Sequence, residues 1–226
     1  MKHNIELWEE VYKWNKKERN YLVYPDEEVV RIIKKFFLPR NVKSVLDVGC
    51  GSGRHTLALL REGFSVTAVD TSETALGILK SLVNNFKENI NDKLKIMQGD
   101  IKNMPFNNNS FDAILCWGVL HYLDTEELKK AIKEMHRILK EGGLLALTLR
   151  STEDSEYKRE HGDKLQESQA FESKGMLFKY FSESDLPSIL GNFKIINYGH
   201  KTRTTFEDKK RVIAHWFIVA KKVGFK

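Results

Sequence analysis

A chain of 226 residues can hold one α/β domain with a full core, and 41% hydrophobic with 30% charged residues is the composition of an ordinary soluble globular protein. No apolar run approaches the roughly 20 residues of a membrane span, and Met1 to Glu10 lacks the apolar core of a signal peptide. The formal charge of +6 comes from lysines and glutamates mixed along the chain, so it favours a role in solubility over one in nucleic-acid binding.

Both cysteines, Cys50 and Cys116, stand at the ends of apolar runs. Reduced, buried thiols of this kind suit the cytoplasm. The seven histidines show no HExxH or paired-cysteine spacing, and no metal is expected.

In chain order, residues 1–41 read as a helical cap ahead of the first strand. Leu7, Trp8, Val11, Tyr12 and Trp14 share one apolar face with an aromatic fringe. Pro25 followed by Asp26 and two glutamates reads as a helix start, and Pro39 stops that helix. From Ser44 strands and helices alternate. Strands are predicted over 44–49, 65–70, 93–99, 112–117 and 144–149, and helices over 53–62, 73–87 and 125–140, the last ended by Gly142-Gly143. Repeated β-then-α units with continuous apolar strands argue for a parallel sheet covered on both faces.

Residues 151–180 break the rhythm and read as an insertion on the substrate side, charged and serine-rich up to about residue 176. Ser182-Glu183-Ser184-Asp185 opens a short helix by capping-box logic. Two β-rich runs, near 193–204 and 211–222, are most easily antiparallel to each other. The fold expected for residues 1–226 is one Rossmann-like three-layer sandwich. Its mostly parallel seven-stranded sheet carries an antiparallel C-terminal strand.

The chemistry is organised around Asp47-Val48-Gly49-Cys50-Gly51-Ser52-Gly53, where a strand hands the chain to a helix. Glycines permit positive φ and close approach of a ligand to the backbone. The helix that follows points its unpaired N–H groups into the loop. The third glycine is one place early for a dinucleotide fingerprint, and Arg54 stands where that glycine would be. Asp70, 21 residues after Gly49, ends the second strand and can accept hydrogen bonds from two ribose hydroxyls. Asp100 ends the third strand, where its carboxylate can accept an adenine amino group while the Ile101 amide donates to a ring nitrogen.

These features, with the Phe111–Leu123 run and Leu139-Lys140-Glu141-Gly142-Gly143, resemble the successive motifs of the class I S-adenosylmethionine (SAM)-dependent methyltransferases over residues 44–150. Within that class the chain looks like the type 11 and type 25 domains. It is also similar in length and in its aromatic N-terminal segment to the thiopurine and tellurite-resistance groups. The resemblance implies SAM as cofactor and S-adenosylhomocysteine as product. It implies that Asp47, Gly49, Gly51 and Gly53, with Cys50 and Ser52 between them, hold the methionine end. Asp70 with Thr71 takes the ribose, Asp100 with Ile101 the adenine. Cys116 offers its carbonyl to the amino group, and Gly118 leaves space near the methyl. Arg54 either pairs with the SAM carboxylate or faces water.

His121 is the best-placed base, just past the fourth strand, with Tyr122 beside it on the substrate side. Tyr12, Trp14 and Tyr24 are candidates for an aromatic lid near a sulfonium. The reading favours a small-molecule acceptor and a monomer or homodimer away from membranes. RNA or protein acceptors, or a SAM-binding module without catalysis, are the alternatives. The proline-proline-tyrosine signature of many amino-group methyltransferases is replaced here by Cys116-Trp117-Gly118-Val119.

Overall fold

In a computed structural model that describes residues 2–84, 91–161, 170–173, 176–205 and 208–224, the run Ser44–Val48 forms the central strand β1. Parallel to it lie β2 (Ser65–Asp70) on one side and β4 (Phe111–Cys116) on the other; β3 (Leu94–Gln98) pairs with β2 and β5 (Leu139–Ser151) with β4. The chain therefore walks outward through β2 and β3, then returns to the far side of β1. Such a reversal leaves a crevice at the C-terminal ends of β1 and β4, where open α/β sheets receive ligands.

The strands are apolar throughout because both faces are covered. Alternation assigns each side chain to a layer: Val45, Ala113, Leu115, Leu144 and Ala146 face one core cluster, and Leu46, Ile114, Cys116, Leu145 and Leu147 the other. The first cluster is closed by α2 (Glu27–Ile32), α3 (Arg54–Arg61) and α4 (Glu73–Asn84), the second by α5 (Thr125–Ile138). Asp26 caps α2, accepting from the Glu28 amide at 3.0 Å. The helix continues as a π turn over Ile33–Phe37 and a 3₁₀ turn over Leu38–Arg40, so Pro39 sits inside the closing turn. The predicted end of α4, residues 85–87, lies outside the described residues.

Two expectations need correction. The helix predicted over 125–140 stops at Ile138, and the next strand starts at Leu139 and runs through both glycines. Leu139 pairs with Phe111, the register shifts, and pairing resumes at Ala113 with Leu144. Gly142 takes φ +73°, and a Cβ on Gly143 would collide with the carbonyl oxygens of Lys140 and Asp112. The glycine pair thus builds a bulge within a strand, and helix capping falls to earlier residues.

The stretch after 151 is also more than an irregular insertion. Ser155–His161 forms α6, and Ala170–Ser173 (β6) pairs antiparallel with Met176–Phe181 (β7). Among the described residues the sheet therefore has nine strands, against seven expected. β9 (Val212–Lys222) runs antiparallel along one edge of β5 as far as Arg150, and β8 (Phe193–Thr204) antiparallel to β9. β7 pairs with Arg150 and Ser151 on the opposite edge, which is free because β4 ends opposite Leu147. The hairpin thereby stands directly over the C-terminal end of β4. The short helix opened by the Ser182 capping box continues as α7 (Leu186–Leu190).

Residues 1–41 do two different jobs. α2 and the turns after it are core, with Val29 and Phe37 fully buried. α1 (Lys2–Glu18) lies across the C-terminal ends of the strands instead. Its Glu9 accepts from Ser72 Oγ at 2.6 Å and also from the Thr74 hydroxyl, at the start of α4. Asn4 bridges the Tyr122 carbonyl and the Leu177 amide on β7, and Trp8 packs edge-on against Tyr122 at 5.1 Å.

Candidate active site

A cavity of about 700 Å³ opens between α1 and the strand ends. Its floor at one end is the loop Gly49–Gly53. Gly49, Gly51 and Gly53 have φ of +67°, +55° and +90°, a region that side chains rarely adopt. A Cβ on Gly49 would collide with Val119 and one on Gly51 with the Tyr12 hydroxyl. The loop is therefore a cradle that only glycine backbone can form.

Asp70 ties the loop to the second strand. Its Oδ2 accepts from the Gly51 amide at 2.8 Å and its Oδ1 from the Ser72 amide at 2.9 Å. Burial raises its pKa, and those two amides oppose the rise. A carboxylate offers about four acceptor positions, so these amides leave Asp70 acceptor capacity, and Asp70 lines the cavity. Asp100 and Ile101 line the same wall; Asp100 accepts from the Lys102 amide at 2.9 Å and pairs with Lys102 Nζ at 3.2 Å.

Cys50, Ser52, Thr71, Gly118, His121, Tyr122 and Tyr12 also line the cavity. The Gly118 amide donates to Thr148 Oγ1 at 2.8 Å, and a Cβ built on Gly118 would meet nothing. Arg54, half-buried at the first turn of α3, faces the cavity and makes no ion pair among the described residues. Burial lowers its pKa.

Other expected site residues stand elsewhere. Asp47 does not line the cavity; it lies beneath the loop, buried, and accepts from Thr56 Oγ1 at 2.6 Å. Burial pushes its pKa up to about 7, and the Thr56 bond opposes that. Gly53 sits behind the loop against Leu79, and the Cys116 side chain points into the core. Trp14 and Tyr24 are 56% and 81% exposed and do not line the cavity. The ring beside Tyr12 in α1 is Trp8, 6.0 Å away. It lies four residues before Tyr12, one helical turn, and that spacing was the available signal.

His121 is buried, with Tyr122 at 4.3 Å and His215 at 5.9 Å between ring centroids. Burial, with His215 and Arg150 nearby, holds its pKa well below the ordinary histidine value. A neutral imidazole is thus present at neutral pH. Sequence reasoning missed Thr148 and Arg150 on β5, Ile213, His215 and Phe217 on β9, and Lys201 and Arg203 on β8, all of which line the cavity. The only local signals were Thr148 and Arg150, polar at alternate positions of the otherwise apolar β5, and His215 within the apolar β9; Ile213, Phe217 and the largely polar β8 carried none.

Residues 45–143 match the model of a methyltransferase domain family. Over these residues the chain carries a methyltransferase domain of the class I SAM-dependent type. Among curated relatives of the domain, sterol 24-C-methyltransferase ERG6B of Gibberella zeae is 36% identical over 104 residues, 46% of this chain and 26% of that protein. Glycine/sarcosine N-methyltransferase of Aphanothece halophytica is 28% identical over 166 residues, 70% of this chain and 57% of that protein. The chain thus matches between about a quarter and somewhat over half of their lengths. In fold, it resembles the 1,6-didemethyltoxoflavin-N1-methyltransferase of Burkholderia thailandensis, solved with that substrate and S-adenosylhomocysteine. The TM-score is 0.70 at 19% identity, covering 96% of this chain and 88% of that one. Methyltransferase domains of this family use SAM, and no described helix here is long and apolar enough to cross a membrane.

Proposed function

We propose that this protein transfers a methyl group from SAM to a small molecule held in the same cavity. The observation that carries the reading is the enclosure of one cavity by the glycine cradle, two strand-end carboxylates and the aromatic face of α1. Gly49, Gly51 and the residues between them would hold the amino-acid end of SAM, with Arg54 paired to its carboxylate and the Cys116 carbonyl taking the amino group. Asp70 with Thr71 would receive the ribose hydroxyls, and Asp100 with the Ile101 amide the adenine edge. Asp47 would act from below, holding the loop through Thr56.

Bound there, SAM supplies a methyl group made electrophilic by its sulfonium; the acceptor's lone pair forms the new bond while the carbon–sulfur pair leaves with sulfur, and the acceptor's proton passes to water. What remains for the chain is positioning and exclusion of water. Trp8 and Tyr12 line the cavity beside the cradle, and aromatic rings there would attract a cation. Gly118 keeps the space beside Thr148 open. His121, held neutral, accepts a hydrogen bond from an O–H or N–H nucleophile and so orients it. As a base it is weak, because protonation in that buried place is unfavourable.

A small acceptor is favoured because the cavity between α1 and the strand ends has the size of a ligand site. Reduced Cys50 and Cys116 suit a cytoplasmic setting. The test is calorimetric titration with S-adenosylhomocysteine, followed by methyl transfer from labelled SAM to a small-molecule extract, total RNA and total protein. Binding with label confined to the small-molecule fraction is expected. Label in RNA or protein would overturn the acceptor class. Tight binding with no transfer to any fraction would make the chain a SAM-binding module.

A further inference from the structure

Two buried polar atoms of residues that line the cavity, Arg150 Nε and His121 Nδ1, have no hydrogen-bond partner among the described residues. Arg150 is only 8% exposed and His121 2%. Buried donors and acceptors in folded proteins almost always find partners, so two unmet atoms on residues that line one cavity point to a ligand that supplies them.

The wall around Arg150 is built by strand register. Arg150 on β5 stands opposite His215 on β9, and His215 opposite Lys201 on β8, forming a row across three strands. One step on, Ile213 stands opposite Arg203. All five line the cavity. This is the face of β5 and β9 that buries Leu144, Ala146 and Val219 lower down, so nitrogen-rich side chains continue an apolar layer into the cleft.

The charges on this wall are partly matched. Arg150 Nη2 pairs with Asp154 at 2.9 Å and Glu156 at 3.4 Å, and Lys201 lies 3.8 Å from Glu27 and 3.9 Å from Glu28. Asp26 and Glu28 also face the cavity. Arg203 makes no ion pair among the described residues. The wall therefore offers one unmatched guanidinium together with one unmet guanidinium N–H. That suits a single negative charge spread over a planar group, and Arg is the side chain that best matches carboxylate geometry. A dianion such as phosphate would bring more charge than this wall leaves unmatched.

Distance fits a small molecule. Thr148, which holds the Gly118 amide, precedes Arg150 by two strand residues, or about 6.8 Å. Resting on the methyltransferase reading above, we propose that the methyl acceptor is a small carboxylate. Its anionic end is received by Arg150 Nε and Arg203, and its nucleophilic atom lies beside His121, towards Gly118.

The full-length protein, saturated with S-adenosylhomocysteine, is titrated with acetate, phenylacetate, benzoate and salicylate, with the primary amide of each, and with inorganic phosphate. At least one acid is expected to bind tenfold or more tightly than its amide. Arg203→Gln, on an exposed residue, is expected to reduce that preference at least threefold. Removing Arg150 alone strands the buried Asp154 carboxylate, so Arg150→Gln is combined with Asp154→Asn, and this pair is expected to abolish the preference. The proposal is overturned if no acid outbinds its amide, if phosphate outbinds every acid, or if both variants keep the wild-type preference. Failure of S-adenosylhomocysteine to bind would instead overturn the cofactor reading, and the two failures are separate measurements.

Discussion

The Gly51 amide donates to Asp70 Oδ2 at 2.8 Å, so the glycine cradle and the acid that ends the second strand form one unit. Asp70→Ala removes the proposed ribose acceptor and also the bond that holds the loop. Loss of one hydrogen bond to a charged group is worth about 1.5–3 kcal/mol, so the Kd for S-adenosylhomocysteine is expected to rise by roughly 10- to 150-fold. Asp70→Asn keeps one oxygen as an acceptor and should lose less. Calorimetry on the two variants checks the order.

Gly51 and Tyr12 are coupled by contact, since a Cβ on Gly51 would strike the Tyr12 hydroxyl. Gly51→Ala also places a side chain at φ +55°, at a cost of about 1–2 kcal/mol. Combining it with Tyr12→Ala removes the collision but leaves the backbone strain. The double variant is expected to unfold at a higher temperature than the sum of the single effects implies. Strict additivity in a thermal double-mutant cycle would show that α1 does not rest on the loop.

Glu9 fastens α1 to Ser72 and Thr74. Glu9→Ala is expected to raise amide hydrogen exchange in α1 while leaving the sheet strands protected, because the core clusters contain no α1 residue. S-adenosylhomocysteine should partly restore protection of α1. Unchanged exchange in α1 would mean that Asn4 and Trp8 hold the helix by themselves.

Asp47 gives a pH dependence of known sign. Its folded pKa is raised to about 7 by burial, above the value near 3.9 of an unfolded aspartate. Between these values the folded state holds a proton that the unfolded state has released. Stability from this group is full below about pH 4 and is lost as pH rises through 7. Asp47→Asn, which can still accept from Thr56, should gain thermal stability relative to wild type as pH rises from 5 to 8. His215, whose pKa burial lowers to about 4, acts oppositely: its contribution is lost as pH falls below the ordinary histidine range. The difference between wild type and variant isolates the Asp47 effect.

Much of this molecule was legible from local pattern. Continuous apolar strands, Gly49-Cys50-Gly51-Ser52-Gly53 and the acids at 70 and 100 specify a parallel sheet with a ligand crevice, because each depends on backbone geometry or neighbours a few residues away. Gly142-Gly143 misled the helix boundary because a glycine pair serves a strand bulge as well as a helix end, and the choice was made by close approach of the Asp112 carbonyl. Trp8 rather than Trp14 reached the cavity because docking through Asn4 and Glu9 fixes which face of α1 looks inward.

The sequence by itself determined the loop half of the candidate site, where strand, loop and helix follow one another without interruption. Only tertiary structure decided the other half. Arg150, His215 and Lys201 are 65 and 14 residues apart along the chain and become neighbours only when β5, β9 and β8 align in register. A hydrogen-bonded ladder set that alignment, and no local periodicity encodes it.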